Sequence, residues 1–546
     1  MEKFIFKQVS SLEKVFLTGN ETMKEIKSAS ALKGERYSYQ IAFYLEDIGS
    51  FELQAEKTGD LQENMSIRIV GNIPAEKTAI EHECDKDYIT TGSGIFPDVL
   101  YPYEPAKCKA VPYRWHSIWI TIEIPEDCKA GIYRPAVTLC NEKFGVREEI
   151  TLDLEIIDAV LPPQEMIYTQ WFHSDCIASY YNIPVFSEKH WELIDKFIAL
   201  AAYTGINMIL TPLFTPPLDT AVGGERPTVQ LVGVTLKNGV YRFDFSKLDR
   251  WIDICQKNHI RYFEMSHLFT QWGAEFTPKI VACVDGTEEK IFGWHKRADS
   301  PEYKAFLDAF LPELVDYLNH KGIAQHTYFH VSDEPRLKHK EQYKTAKNLI
   351  KSHLKGFKII DALSEPDFYQ EGLVEYPIPH TGEAEAFHKL GVKEFWTYYC
   401  CGQGKELSNR FFAMPSYRNR IIGTQFYKFG VQGFLQWGYN FYYSQYSTCS
   451  IDPYLVTDAL GDFPAGDSFS VYPYQDGPVE SLRSVVFYEA LQDVRAFRLL
   501  EEKIGYDAVL ELLESEGTIT FTEYPRSAEF LLNLREKINQ TIKCSI

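Results

Sequence analysis

TYFHVSDEPRLKHKEQYKTAKNLI (327–350) is an alternating run that ends in two adjacent carboxylates, Asp333 and Glu334, is halted by Pro335 and then turns helical. In a strand successive side chains alternate, so His330, Ser332 and Glu334 share one face while Phe329, Val331 and Asp333 share the other. The apolar face suits packing against helices, and the polar face suits the lumen of a barrel. Proline has no N–H and disfavours helical backbone before it, which predicts that the strand ends at Glu334, where the last residues can turn both carboxylates to one mouth. Neighbouring carboxylates disfavour each other's ionisation, so the juxtaposition marks a place where chemistry uses it. The ordinary alternative is an acidic pair capping the next helix, with Arg336 and Lys338 as partners.

The same strand-loop-helix rhythm extends on both sides. Candidate strands are MIYTQWF (166–172), INMILT (206–211), RYFEMSHL (261–268), TYFHVSD (327–333), FKIIDAL (357–363), VEYPIP (374–379), EFWTYY (394–399) and VQGFLQW (431–437). Helical spacing of apolar residues predicts helices over 190–205 and 246–260. Ser246 with Asp249 resembles a capping box, and Ser300-Pro301-Glu302 reads as an N-cap followed by proline at the first helical position. Eight such units in roughly 300 residues predict a (β/α)8 TIM-like barrel, whose active sites lie at the carboxyl ends of the strands. A doubly wound open sheet is the competitor, but its G-x-G-x-x-G fingerprint is missing.

Upstream, short alternating segments (37–45, 115–124, 148–157) and a strand-turn-strand piece over 124–139 predict an N-terminal β-sandwich over 1–162. Leu161-Pro162-Pro163 breaks the pattern. The barrel is predicted over 163–500, and the amphipathic stretches 479–505 and 529–542 give C-terminal helices, with a helical extension over 501–546.

The net charge of −20, without a basic stripe, argues against nucleic acid as a partner. No apolar run reaches the roughly 18 residues of a membrane helix, and MEKFIFKQVSSLEKVF carries no signal-like segment, so a cytoplasmic location is expected. The eleven cysteines are scattered without a C-x-x-C pair, which fits reduced thiols. No cofactor is predicted. A metal site on His330 and the acids lacks a second histidine at ligand spacing, so none is predicted either. Oligomeric state is not legible.

Adjacent carboxylates fit ordinary glycoside hydrolysis poorly, since that chemistry holds its two carboxyls about 5–9 Å apart. They suit a sugar that brings its own nucleophile. A 2-acetamido oxygen attacks C1 to form an oxazolinium ion, one acid orients the amide N–H, and the other protonates the leaving oxygen. Other rim candidates follow from position. His173 and Asp175 follow strand one, Gln271 and Trp272 follow strand three, Tyr398 ends strand seven, and Trp437 and Asn440 end strand eight. Trp437 is a candidate for stacking under the sugar, and the Tyr398 hydroxyl for holding the acetamide carbonyl. His267, Asp361 and Glu365 also stand near strand ends.

Asp333-Glu334, QWFHSD (170–175), the blocks EFWTYYCCGQGKELSNRF (394–411) and RNRIIGTQFYKFGVQGFLQWGYNFY (418–442), and the closing GDSFSVYPYQDGPVESLRSVVFYEALQDVRAF (466–497) resemble glycoside hydrolase family 123. WITIEIPEDCKAGIYRPAVTL (119–139) is similar to the N-terminal sandwich of that family. The resemblance implies a retaining β-N-acetylgalactosaminidase acting by substrate assistance on oligosaccharides or glycolipid-derived glycans with terminal β-GalNAc. It implies that Asp333 orients and stabilises the acetamide while Glu334 serves as general acid and later base. Two alternatives remain: a β-glycosidase using separated carboxylates such as Glu334 and Glu365, or a glycan-binding protein on an inactive barrel.

Overall fold

The structure, a computed structural model, describes residues 4–19, 22–104 and 108–546. Eight parallel strands form one sheet: Ile167–Gln170, Met208–Thr211, Tyr262–Met265, Thr327–Phe329, Lys358–Ala362, Tyr376–Ile378, Trp396–Tyr398 and Gly433–Gln436, here barrel strands one to eight. Each falls inside one of the segments predicted from sequence. Strand eight pairs with both one and seven. Between six and seven the sheet closes through a single parallel bridge, with Tyr398 N–H bonded to Pro379 O at 3.0 Å and Thr381 N–H to Tyr398 O at 2.8 Å.

Side-chain alternation sorts the barrel strands into two faces. Met208, Leu210, Tyr328, Ile360, Ile378, Trp396, Tyr398 and Leu435 fill an interior cluster. Ile209, Phe263, Phe329, Val331 and Phe434 join the core between sheet and helices. That core rests on helices such as Glu188–Tyr203, Ser246–Lys257 and Pro301–His320. Ser300 caps the last of these by accepting from Tyr303 N–H, with proline at the helix start, as its sequence suggests. Ser246 does not act as a cap. Its N–H and hydroxyl both donate to the Asp244 carboxylate, which takes over the helix start.

The N-terminal region is a sandwich of a five-stranded, a four-stranded and a three-stranded sheet. Tyr39, Ile41, Phe43, Ile118, Ile120 and Ile122 of one layer face Leu53, Val137, Leu139, Leu154 and Ile156 of the others. Its outer face is clamped to the barrel. Arg483 makes a buried two-pronged pair with Asp98 at 2.8 and 2.9 Å, and Val99 bridges Ser481. Helix Leu482–Ile504 crosses position 500 unbroken and stops at Gly505, whose φ of 85° suits glycine. The final helix, Ala528–Cys544, packs on this helix and the sandwich, with Arg535 bonded to Glu35 at 2.6 Å and to Asp493 at 2.9 Å. A four-stranded sheet over Gly233–Lys237, Val240–Asp244, Ile280–Val284 and Thr287–Phe292 is inserted after barrel strands two and three.

Candidate active site

Barrel strand four is shorter than its sequence suggests, because its backbone is drawn away from its neighbours by a carboxylate. Val331 N–H donates to Asp361 Oδ1 at 3.0 Å, so regular pairing stops at Phe329. The chain then turns sharply. Glu334 N–H donates to Ala362 O at 3.0 Å, and Glu334 adopts φ 42°. Glu334 is thus left-handed, outside the right-handed helical region. Such a conformation costs a non-glycine residue about 1–3 kcal/mol and persists where surrounding contacts over-determine it. The turn brings both acids to the mouth, each half-buried. Neither Arg336 nor Lys338 forms an ion pair with a described residue, so the helix-capping alternative has no support.

Beneath the pair lies a buried polar floor. His330 Nε2 lies 2.6 Å from Glu264 Oε1, and its Nδ1 lies 3.3 Å from Asp361 Oδ1. Glu264 also accepts from Trp171 Nε1 and Thr169 Oγ1, each at 2.7 Å, and Asp361 accepts from the Tyr343 hydroxyl at 2.5 Å. Burial opposes a charge on His330, but its hydrogen bonds to the two carboxylates outweigh it and hold the ring's pKa up at about 9. His267 stacks on His330 with centroids 4.2 Å apart, and neither of its nitrogens has a partner among the described protein groups. Burial and then the His330 charge push its pKa well down, so it is neutral. The fold thus supplies the second histidine that sequence spacing lacks: donor atoms of His267, His330 and Asp361 lie within 4.8 Å of one another. Both nitrogens of His330 already face carboxylates, whereas His267 joins the trio by stacking alone.

The Asp333 carboxylate accepts no hydrogen bond from a described residue, while its backbone oxygen accepts Trp272 N–H at 2.8 Å. Burial, then the charge of Glu334, pushes the Asp333 pKa well up, against the pull of His330. Glu334 is held from the opposite side. Tyr398 donates its hydroxyl to Glu334 Oε1 at 2.5 Å, so this hydroxyl is engaged with the acid rather than standing free for an acetamide. Trp437 is half-buried, packed on Phe441 and Phe463 with its Nε1 donating to Asp467 Oδ2 at 2.9 Å. Burial lifts Asp467 to about 7 and Asp219 to about 6. The charge of Asp219 acts on both Asp333 and Asp467.

His173, Asp175 and Asn440 are used differently from their sequence-based assignment to sugar contacts. Arg226 grips both oxygens of Asp175 at 2.7 Å and meets His173 Nδ1 at 3.1 Å. His173 Nε2 bonds Trp437 O at 3.0 Å, and Asn440 exchanges hydrogen bonds with the His173 backbone at 2.9 and 3.1 Å. All three are buried, and burial followed by Arg226 drives the His173 pKa down to about 3. Their polar atoms meet one another behind the wall that carries Trp437. Glu365 stands half-buried at the N-terminus of helix Pro366–Gln370, without capping it. Sequence reasoning missed Asp219, Glu264 and Asp467. Glu264 alone had a local signal, as a single acid on the lumen face of an otherwise apolar strand. A cavity of about 640 Å³ lies away from the mouth, between the sandwich and the final helix, lined by residues including Glu35, Arg420 and Arg535.

Two carboxyls at a barrel rim, flanked by aromatic faces and further acids able to bind hydroxyls, suit carbohydrate, and the class so defined is glycoside hydrolase. The family follows from sequence: residues 171–500 match the model for the glycoside hydrolase 123 catalytic domain, and the chain belongs to that family. Among solved structures it is similar to a family 123 glycoside hydrolase from Clostridium perfringens, studied for glycolipid glycan hydrolysis. The two share 16% identity over 99% of this chain and 97% of that one, with a TM-score of 0.75. A β-glucuronidase from Parabacteroides merdae overlaps more loosely, at 8% identity over 90% of this chain and 52% of that one, with a TM-score of 0.30. Curated protein sequences give no match.

Proposed function

We propose that the chain is a retaining, exo-acting β-N-acetylgalactosaminidase that removes terminal β-linked GalNAc from oligosaccharides or glycolipid-derived glycans, with the substrate's acetamide oxygen as nucleophile. The observation that carries this reading is the asymmetry of the acid pair. Asp333 presents an unengaged carboxylate in a buried, acid-rich setting, while Glu334 is fixed by Tyr398. Burial and the neighbouring Glu334 charge favour the protonated form of Asp333 in the empty site. An acetamide N–H donated to Asp333 favours the anionic form there, and Glu334, as general acid, delivers a proton to the leaving oxygen. Asp333 then faces the positive charge of the oxazolinium, and Glu334, now a base, draws a proton from the attacking water. Trp437 offers an apolar face for the ring, and Asp467 and Asp219 offer acceptors for hydroxyls.

The test is a panel of 4-nitrophenyl β-glycosides varied at C2 and C4. Release from the GalNAc glycoside, with the β-galactoside slower by orders of magnitude, is the expected result. Equal rates on the two remove substrate assistance. Inhibition by a GalNAc-thiazoline supports the reading; a covalent adduct with a 2-fluoro sugar turns it toward Glu334 working with a separate carboxylate.

A further inference from the structure

We infer that Trp272 and Tyr446 together form the leaving-group subsite, a platform for the neutral pyranose attached to the anomeric oxygen of the terminal sugar. The inference rests on the proposed acid pair and adds the part of the substrate that the pair does not touch.

These two rings are 41% and 40% exposed, whereas the aromatic residues deeper in the mouth, Tyr398 and Trp437, are buried and half-buried. Isolated exposed aromatics need no explanation, but these touch, edge to face, with centroids 5.7 Å apart and planes at 88°. They come from different βα loops, after strands three and eight, and each sits on backbone that its residue type avoids. Trp272, Gly273 and Ala274 have φ of 57°, 132° and 56°, and Tyr446 and Ser447 have φ of 59° and 54°. A bulky residue at positive φ is an outlier that contacts must enforce.

Those contacts lead to the acid pair. Trp272 N–H is bonded to Asp333 O at 2.8 Å, and Gly273 N–H reaches Ser332 Oγ at 3.4 Å. Gly273 lies so close to the His339 ring that a Cβ would stand 2.8 Å from it. On the other side Tyr446 N–H donates to Asp219 Oδ2 at 3.1 Å and Ser447 Oγ to Asp219 O at 2.7 Å. Asp219, itself at φ 40°, donates its N–H to Gln271 Oε1 at 2.5 Å, next to Trp272 in the chain. One residue, Asp219, therefore ties the two aromatic loops to each other, its carboxylate holding the Tyr446 loop and its N–H the Gln271 side chain, and a backbone hydrogen bond ties Trp272 to Asp333.

An enzyme that removes a terminal sugar holds that sugar innermost, so exposed rings farther out meet the next residue of the glycan. A pyranose presents an apolar C–H face that lies on an aromatic ring, and hydroxyls at its edge for an acceptor such as Asp219. The acids around the opening and the net charge of −20 select against an anionic leaving sugar.

The experiment compares a β-GalNAc-galactose disaccharide with methyl β-GalNAc, both with leaving groups that need protonation, in wild type, Trp272→Ala, Trp272→Phe and Tyr446→Ala. The ratio of kcat/KM for disaccharide over methyl glycoside is expected to fall about tenfold or more in the alanine variants, chiefly through KM, and to be largely kept in Trp272→Phe. Equal losses on both substrates overturn the platform. Calorimetric binding to Glu334→Gln supplies an arm independent of turnover. The disaccharide is expected to bind tighter than free GalNAc, with the difference lost when Tyr446→Ala is added; no difference in the parent overturns the platform. If the wild type cleaves neither glycoside, the proposed activity falls while the binding arm still decides the subsite.

Discussion

The Tyr398 hydroxyl donates to Glu334 Oε1 at 2.5 Å, joining the ends of barrel strands seven and four across the opening. The pairing fixes which way Glu334 faces after its left-handed turn. A hydrogen bond to a charged group contributes about 1.5–3 kcal/mol. Tyr398→Phe is therefore expected to lower kcat/KM roughly 10–100-fold without lowering Tm by more than a few degrees. Unchanged kinetics would show that the contact orients nothing.

Glu334→Gln keeps shape and loses the proton that the proposed mechanism transfers. The expected loss is about 10²–10⁴-fold on an alkyl or sugar leaving group, and much less on 4-nitrophenol, which departs without protonation. A Brønsted series of aryl β-GalNAc substrates measures this, with a steeper slope in the variant. A slope identical to wild type excludes Glu334 as the acid.

Asp333→Asn removes the charge that, in the proposed mechanism, faces the oxazolinium. Activity is expected to fall with good and poor leaving groups alike, and affinity for a GalNAc-thiazoline to fall with it in calorimetry. A variant that still binds the thiazoline as tightly as wild type would place the acetamide elsewhere.

Buried carboxylates make the fold sensitive to alkali. Asp467 and Glu489 are both raised to about 7 by burial, and His330 is held up at about 9. A raised pKa means that the folded state binds more protons than the unfolded chain between the two values, so stability declines across that window as pH rises. For the two acids the window runs from their ordinary range near 4 up to about 7; for His330 it runs from about 6.5 to about 9. Tm is expected to fall steadily from pH 5 to pH 9. Asp467→Asn, which keeps an acceptor for Trp437, should raise Tm by roughly 2–4 °C at pH 8 and leave it unchanged at pH 4. The opposite pH trend would contradict these assignments.

Arg226 is the hub behind Trp437, and its pair with Asp175 is almost wholly shielded from water. Removing one member of a buried pair strands the other, at about 3–5 kcal/mol. Arg226→Met is expected to destabilise by that amount in urea unfolding. A loss below about 1 kcal/mol would mean that water reaches the carboxylate and replaces the guanidinium.

Much of this architecture is legible in the chain because barrel strands announce themselves locally. RYFEMSHL and TYFHVSD alternate, and proline or polar loops close them off, so all eight strands are identifiable. Asp333 and Glu334 are visible for the same reason, as acids where an apolar run stops. What escapes depends on partners distant in sequence. Nothing near His173 or Asp175 reveals that Arg226, some fifty residues later, consumes their polar atoms. Nothing near Pro335 shows that Asp361 will claim the Val331 N–H and set up the left-handed turn. The inserted sheet over 233–292 is built of strands of five or six residues that are mostly exposed or half-buried, with Val234, Ile280, Ala282 and Phe292 their buried members, so each offers too short an apolar signal to stand out from loop.

The paired Asp98 and Arg483 bear on how this protein can be taken apart. Arg483 sits on the helix after barrel strand eight, and its counter-charge comes from the sandwich, with Tyr472 donating to the same aspartate at 2.5 Å. Severing the chain near Leu161 would leave a guanidinium stranded against bared hydrocarbon, so the barrel is expected to lose stability without the sandwich. A chimera that borrows its front half from another member would need a matching acid at that spot.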